Sequence, residues 1–175
     1  SYPRDFTDEA LDVMAGSERI CKWLHIPAQS GNDRVLKRMN RGYTRAEYLS
    51  LIERARARMP DVSIVGDMIV GFPGETDREF EDSLTLMDEV RFKGLYVFKY
   101  SPRPGTVAGK RDEDDVPVAV KKARNNRMLE HQQRISLAHH QALVGQTIEV
   151  LVEGAAKVDP QKQVDETGAV LHTLK

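Results

Sequence analysis

The chain has 175 residues, 40% of them hydrophobic and 30% charged, and its formal net charge at pH 7 is −1. This length suffices for one domain, or for one domain and part of a second. No run of about 18 apolar residues could span a membrane, the near-zero charge gives no general nucleic-acid signature, and one cysteine excludes an intramolecular disulfide framework. Because residues 1–5 also show no signal-peptide pattern, we expect a soluble, cytoplasmic protein without a membrane partner.

The first predicted element is a short helix that begins after Thr7 and ends at Gly16. A compact apolar run at 23–26, stopped by Pro27, then predicts a buried strand. The turn residues at 29–32 predict a loop at the C-terminal end of this strand. In parallel α/β proteins, loops at this end of the strands bind the ligands.

A second unit follows with the same order of elements. The capping box at 44–47 opens a helix, with one face marked by Tyr48, Ile52, Ala55 and Met59. The β-branched apolar run at 62–70 predicts a strand that is buried on both faces. A second capping box at 76–79 opens the next helix, with one face marked by Phe80, Leu84 and Met87.

The third unit begins with a predicted strand at 95–98 and a loop rich in proline and glycine at 101–109. Pro117 then starts a long helix, and the acidic run before it favours the positive end of the helix dipole. A last strand at 147–152 breaks the strand–helix rhythm, so we place a domain boundary near Val144. The residues after this boundary are too few for an independent fold and indicate the start of a truncated β-domain.

Two of the loops at predicted strand ends, and one strand residue, carry side chains suited to ligand binding. Gln29 and Ser30 offer an amide and a hydroxyl for ribose hydroxyls or an amino-acid head group, although an ordinary turn has the same composition. The segment 71–76 combines two glycines, which allow close backbone approach, with the acceptor Glu75; a plain strand–helix turn is the alternative. Asp67 lies inside an apolar strand and therefore needs a charged or hydrogen-bonding partner.

Several cations lie near these loops. Arg41 could pair with a carboxylate or phosphate, and a solvated helix face is the alternative. Arg103, held between two prolines, suits an anion or RNA contact, and an ordinary proline- and glycine-rich loop is the alternative. The long helix carries a local basic surface that includes Lys121, Lys122 and Arg124. No metal site is predicted, because the histidines lack zinc-site spacing and Cys21 alone cannot hold an iron–sulfur cluster.

Four strings in series resemble the radical S-adenosylmethionine methylthiotransferase family, namely LHIPAQSG at 24–31, MNRGYT at 39–44, DMIVGFPGET at 67–76 and YSPRPGT at 100–106. The core of the third string is shared with other radical S-adenosylmethionine enzymes, whereas the series of four is specific. The likeness extends from Ser1 to about Pro160, and the stretch 151–160 resembles the start of the RNA-binding TRAM domain in the branch acting on isopentenyladenosine.

The resemblance implies an α/β fold in two parts. Residues 1–143 would form the C-terminal half of a partial (β/α) barrel, with its last three strand–helix units and a long helix. Residues 144–175 would begin a small all-β, TRAM-like RNA-binding domain. The expected S-adenosylmethionine-binding residues are Gln29, Ser30, Arg41, Asp67, Ile69, Gly71, Glu75 and Ser101, and the expected RNA contacts are Arg103, Lys121, Lys122 and Arg124.

The family's activity implies methylthiolation of a modified adenosine next to the tRNA anticodon, with S-adenosylmethionine, four-iron–four-sulfur clusters and an electron donor. Alternatives within the family are threonylcarbamoyladenosine in tRNA and an aspartate of a ribosomal protein, and a further alternative is a non-catalytic nucleotide- or RNA-binding fragment. A barrel-type isomerase or aldolase is less consistent, because no obvious base or Schiff-base lysine follows a strand. The family's Cys-x3-Cys-x2-Cys motif is expected upstream of Ser1, in an N-terminal half, so the chain alone is predicted to bind no cluster and to be inactive.

Overall fold

A computed structural model describes residues 2–103, 105, 109 and 113–148. It contains a three-stranded parallel sheet in the order β1-β2-β3, formed by β1 (Trp23–His25), β2 (Ser63–Val70) and β3 (Gly94–Lys99). His25 lies opposite Val65, and Asp67 lies opposite Tyr96. The predicted α/β class with parallel strand–helix units is confirmed.

The described part of the chain has five α-helices, which are α1 (Asp8–Gly16), α2 (Asp33–Arg38), α3 (Arg45–Arg58), α4 (Asp77–Val90) and α5 (Val118–Gln141). A short 3-10 helix at Pro3–Asp5 precedes them. Both predicted capping boxes are present, with Thr44 and Thr76 at the N-caps of α3 and α4. None of the described helices is long and apolar enough to cross a membrane.

The hydrophobic core lies between one face of the sheet and the helices. The strands contribute Leu24, Ile64, Met68 and Val70 to it, and the predicted faces of α3 and α4 are buried against them. Helix α5 adds Met128 and Ile135. The side chain of Gln132 also donates a hydrogen bond to the carbonyl oxygen of Phe92, at 2.8 Å.

The prediction that the run 23–26 is buried holds for two of its four residues, Leu24 and Ile26. Leu24 is buried, but Trp23 is 51% exposed, and the exposure alternates along the strand. Within the described residues β1 pairs only with β2, and the helices cover one face of the sheet. On the opposite face Tyr96 and Phe98 are more than half exposed, whereas Val65 is buried.

The chain divides into two compact units, Ser1–Ala138 and His139–Lys175. In the second unit, turns follow the end of α5, and Gly145 adopts a positive φ of 82°. The predicted strand at 147–152 and most of the predicted β-domain at 144–175 lie outside the described residues.

Candidate functional site

A cavity of about 410 Å³ opens at the C-terminal ends of β2 and β3, and its volume lies within the usual range for small-molecule sites. Four of the predicted cofactor-binding residues, Gln29, Asp67, Ile69 and Ser101, line it together with Arg103. The other lining residues are Phe98, Lys99 and Tyr100. The structure thus brings half of the predicted cofactor set into one place.

Gln29 has the left-handed backbone conformation, with φ at 69°. Its N–H donates to the carbonyl oxygen of Asp67 at 2.8 Å, and its own carbonyl oxygen accepts from the N–H of Ile69 at 2.9 Å. For a residue other than glycine this conformation costs about 1–2 kcal/mol, and such strain concentrates at functional sites. The two hydrogen bonds to β2 therefore hold a strained residue at the wall of the cavity.

Two buried tyrosines fix the segment that leads into Gln29. The hydroxyl of Tyr48 donates to the carbonyl oxygen of Ile26 at 2.8 Å, and the hydroxyl of Tyr43 lies 3.1 Å from the carbonyl oxygens of both Pro27 and Ala28. Burial raises the pKa of Tyr43 to about 12, so this hydroxyl keeps its proton and can donate it. Helix α3, through Tyr48, and the loop before it, through Tyr43, thereby position the segment that carries Gln29 to the cavity wall.

Asp67 has the partner that its place in an apolar strand requires. Its Oδ1 lies 3.1 Å from Nε2 of His25 on the neighbouring strand. The ring of His25 also lies 6.1 Å from that of Tyr96 on β3. The sequence alone predicts no role for His25, because this contact depends on strand register rather than on local sequence.

A buried ion pair between Glu75 and Arg124 fixes the turn after β2. Glu75 Oε2 accepts a hydrogen bond from the N–H of Gly71 at 2.7 Å and one from Arg124 Nη1 at 2.8 Å. Burial raises the pKa of Glu75, while the Gly71 hydrogen bond and the Arg124 charge lower it in part. Gly71 and Glu75 are absent from the residues that line the cavity, so their visible role is to shape the turn.

A second set of contacts holds the same turn at Gly74, whose φ is 70°. Its N–H donates to Asp115 at 2.6 Å, and its carbonyl oxygen accepts from Arg34 at 2.6 Å. A Cβ atom at this position would collide with Arg38, so only glycine fits without a rearrangement. Arg34 also pairs with Glu79, and this hydrogen bond is the main cause that lowers the pKa of Glu79 to about 2.

The remaining predicted cofactor residues lie outside the cavity lining. Ser30 is buried, and its hydroxyl oxygen accepts from the N–H of Asn32 at 3.2 Å, so it stabilises the turn. Arg41 is half-buried, and its Nε has no hydrogen-bond partner within the described residues. A buried donor of this kind is costly to leave unsatisfied, which leaves Arg41 as a candidate for contact with a ligand.

The expected basic surface of α5 needs correction for two of its residues. Lys121 is 4% exposed and pairs with Asp114, and Arg124 is 7% exposed and pairs with Glu75 and Asp77. These partners lie in the 113–115 loop, in the turn after β2 and at the start of α4, and the charge pattern of α5 alone does not reveal them. Of the predicted RNA contacts, Lys122 and Arg103 are exposed.

The residues present do not fit an iron–sulfur cluster. The sequence has a single cysteine, Cys21, whereas such clusters normally require several thiolates. Across the described ranges, no group of three histidine, cysteine or acidic side chains is placed to hold a metal ion.

Comparison with known proteins identifies the family. The sequence profile of the Radical SAM superfamily matches residues 2–87. The chain is 47% identical over 162 residues to the tRNA-2-methylthio-N(6)-dimethylallyladenosine synthase of Moorella thermoacetica, covering 93% of this chain and 36% of that protein. Synthases of the same name from Trichlorobacter lovleyi and Rhodopirellula baltica are 49% and 47% identical, over 90% and 94% of this chain and 36% and 34% of theirs.

A solved structure agrees with the fold. Coproporphyrinogen III oxidase from Escherichia coli, described as a radical SAM enzyme, superposes with a TM-score of 0.64 at 24% identity, covering 77% of this chain and 31% of that one. The chain spans about a third of the length of the curated relatives it matches. The chain belongs to the radical S-adenosylmethionine superfamily and, within it, to the family of the tRNA methylthiotransferases.

Proposed function

We propose that the chain is part of an enzyme that methylthiolates a modified adenosine next to the tRNA anticodon, and that its own task is to hold S-adenosylmethionine. The names of the relatives support the reaction and favour dimethylallyladenosine over threonylcarbamoyladenosine or a ribosomal aspartate. The cavity that gathers Gln29, Asp67, Ile69 and Ser101 is the observation that carries the proposal. The second part of the chain, 144–175, would begin the RNA-binding β-domain.

The residues of the cavity suit S-adenosylmethionine. Ile69 offers an apolar surface for the adenine ring, while Gln29, Asp67 and Ser101 offer an amide, a carboxylate and a hydroxyl for its amino and hydroxyl groups. When bound, S-adenosylmethionine supplies the radical chemistry and the methyl group of the reaction. The residues of this chain would bind and orient S-adenosylmethionine. The backbone of Gln29 is already fixed by its hydrogen bonds to β2, so the residue would not need to reorganise when the ligand binds.

The cluster and the electron donor belong to the proposal only as contributions from outside this chain. Cys21 is the only cysteine of the sequence, so the thiolate ligands would come from the rest of the enzyme. In the curated relatives, about two thirds of the length lies outside the region that matches this chain. For RNA, Arg103 and Lys122 remain proposed contacts, since both are exposed cations.

Isothermal titration of the 175-residue chain with S-adenosylmethionine tests the cavity. We expect Gln29→Ala and Asp67→Asn each to weaken binding by at least about fivefold, which corresponds to about one lost hydrogen bond. The matched control is Asn126→Ala, which removes an exposed amide on α5 and is expected to leave the affinity unchanged. Equal affinity of all four proteins would contradict the placement of the ligand.

A further inference from the structure

Helix α5 anchors strand β3 through three side chains that donate hydrogen bonds to backbone carbonyl oxygens. The three donor and acceptor pairs are Gln132 with Phe92 at 2.8 Å, Asn125 with Val97 at 3.1 Å and Lys121 with Tyr100 at 3.3 Å. Phe92 lies before β3 and Tyr100 directly follows it. The helix therefore holds the strand at both ends and in the middle.

Of these three hydrogen bonds, the one from Lys121 acts at the cavity. Tyr100 and the adjacent Ser101 line the cavity, whereas Phe92 and Val97 are absent from its lining. Lys121 is absent from the lining as well, and only 4% of the residue is exposed. Any effect of this lysine on a ligand in the cavity is therefore exerted through the residues that it holds.

The ammonium group of Lys121 is fixed in the interior by its neighbours. Besides the carbonyl oxygen of Tyr100, it contacts both carboxylate oxygens of Asp114, with Oδ2 at 2.6 Å. A buried ammonium requires such a counter-charge, because a buried and unpaired charge is strongly unfavourable. The stem of Lys121 packs against Gly71, where a Cβ atom would collide with it. The glycine at position 71 thus leaves room for this lysine.

Lys121 holds the ring of Tyr100 as well as its backbone. Nζ of Lys121 lies 5.3 Å from the centroid of the ring, within the range of a cation–π interaction. The same ring packs edge to face against the buried Phe72, with the centroids 5.0 Å apart. The N–H of Tyr100 donates to the carbonyl oxygen of Val70 at 2.9 Å. One buried cation therefore contributes to the position of both parts of a residue in the cavity wall.

We propose that Lys121 is a positioning residue of the S-adenosylmethionine site, which holds Tyr100, and with it Ser101, at the cavity wall from inside the protein. The inference rests on the proposed function and adds to it a residue outside the cavity lining. A wall that is ordered before the ligand arrives favours binding, because less conformational freedom is lost on association. This role takes the place of the RNA contact that the sequence suggests for Lys121.

Amide hydrogen exchange of the 175-residue chain, followed by nuclear magnetic resonance, tests the positioning without a ligand. Lys121→Met keeps most of the stem but removes the ammonium, so we expect the amide of Tyr100 to exchange about tenfold faster through local opening. The matched control is Gln132→Met, which removes a hydrogen bond of the same kind from the same helix to the other end of β3. It should leave the exchange of Tyr100 unchanged.

A second variant keeps the test decisive if Lys121→Met does not fold. Asp114→Asn leaves the lysine in place and removes only its counter-charge, from a side chain that is 29% exposed. Because Lys121 is then held less firmly, the amide of Tyr100 should again exchange faster than in the unaltered chain.

Calorimetric titration with S-adenosylmethionine tests the consequence for binding. We expect Lys121→Met to weaken the affinity about tenfold, and Gln132→Met to leave it unchanged. If Lys121 acts through Ser101, its loss should cost less affinity when Ser101→Ala is already present. A lysine that only stabilises the fold would instead give effects that add in full.

The outcomes separate this inference from the proposed function. If the unaltered chain binds S-adenosylmethionine, equal effects of Lys121→Met and Gln132→Met on exchange and affinity would overturn the inference and leave the proposed function intact. Unchanged exchange of Tyr100 in both Lys121→Met and Asp114→Asn would do the same. If the unaltered chain does not bind S-adenosylmethionine, the proposed function fails and the inference fails with it.

Discussion

Replacing Arg124 with methionine removes the cation that faces the Glu75 carboxylate, and we expect the free energy of unfolding at pH 7 to fall by about 3–5 kcal/mol. The size follows from burial. The Glu75 side chain is 1% exposed, and Arg124 donates to both its carboxylate and its carbonyl oxygen, at 2.8 and 3.1 Å. The second partner of Arg124, Asp77, is 93% exposed and contributes little, since surface ion pairs are weak.

Urea denaturation followed by circular dichroism measures this loss, and its pH dependence tests the cause. The pKa of Glu75 is already raised in the folded state, so this group lowers stability as the pH rises from its unfolded value of 4.5 through its folded value. Without Arg124 the folded pKa rises further. The destabilisation of Arg124→Met should therefore be largest near pH 7 and should shrink as the pH falls toward about 5.

A second substitution provides the control for this interpretation. In Arg124→Met combined with Glu75→Gln, the buried charge is gone, so we expect part of the lost stability to return. A loss below about 1 kcal/mol in Arg124→Met, or a loss of the same size at pH 5 and pH 7, would refute the claim that a buried carboxylate depends on this arginine.

Three further substitutions test other contacts. Gln29→Gly removes the side chain that makes a positive φ unfavourable, so urea denaturation should show a gain in stability of up to about 1 kcal/mol. Calorimetry should show weaker binding of S-adenosylmethionine. A lower stability would contradict the interpretation that the backbone of Gln29 is strained. Glu79→Gln weakens the pair with Arg34 and should cost about 1–2 kcal/mol at pH 7. Because the pKa of Glu79 is lowered to about 2, this difference should vanish as the pH falls from 4.5 toward 2, as acid titration of both proteins would show. Tyr48→Phe removes the hydrogen bond to Ile26 and should cost about 1–2 kcal/mol in thermal unfolding, with no change if the hydroxyl contributes nothing.

The sequence predicts those parts of the fold whose determinants are local. The capping boxes at 44–47 and 76–79 lie in the structure where the pattern places them, because both partners are within three residues of each other. The apolar run at 62–70 becomes the central strand. Its burial on both faces is predicted only in part, since Ile64, Met68 and Val70 lie in the core, whereas Asp67 and Ile69 on the other face are partly exposed. The site is predicted in part: Gln29 follows from its loop at the end of a predicted strand, and Asp67 from being a carboxylate inside an apolar strand.

The rest of the site depends on contacts between distant parts of the chain. Lys121 and Arg124 resemble a solvated helix face in sequence, but carboxylates from elsewhere neutralise them in the interior. The left-handed backbone of Gln29 has no local signal either, because glutamine carries no preference for it. His25 reaches Asp67 only through strand pairing, which local periodicity does not specify.

The contact between Arg124 and Glu75 also has a consequence for the order in which the chain folds, because it joins residues 49 positions apart. Contacts between such distant residues form late, since closing the intervening loop costs entropy. During synthesis, β2 and α4 leave the ribosome before α5, so the turn between them is made before Arg124 is available to pair with Glu75. We therefore expect the turn after β2 to reach its final form only when α5 docks, as one of the last parts of the described fold to mature.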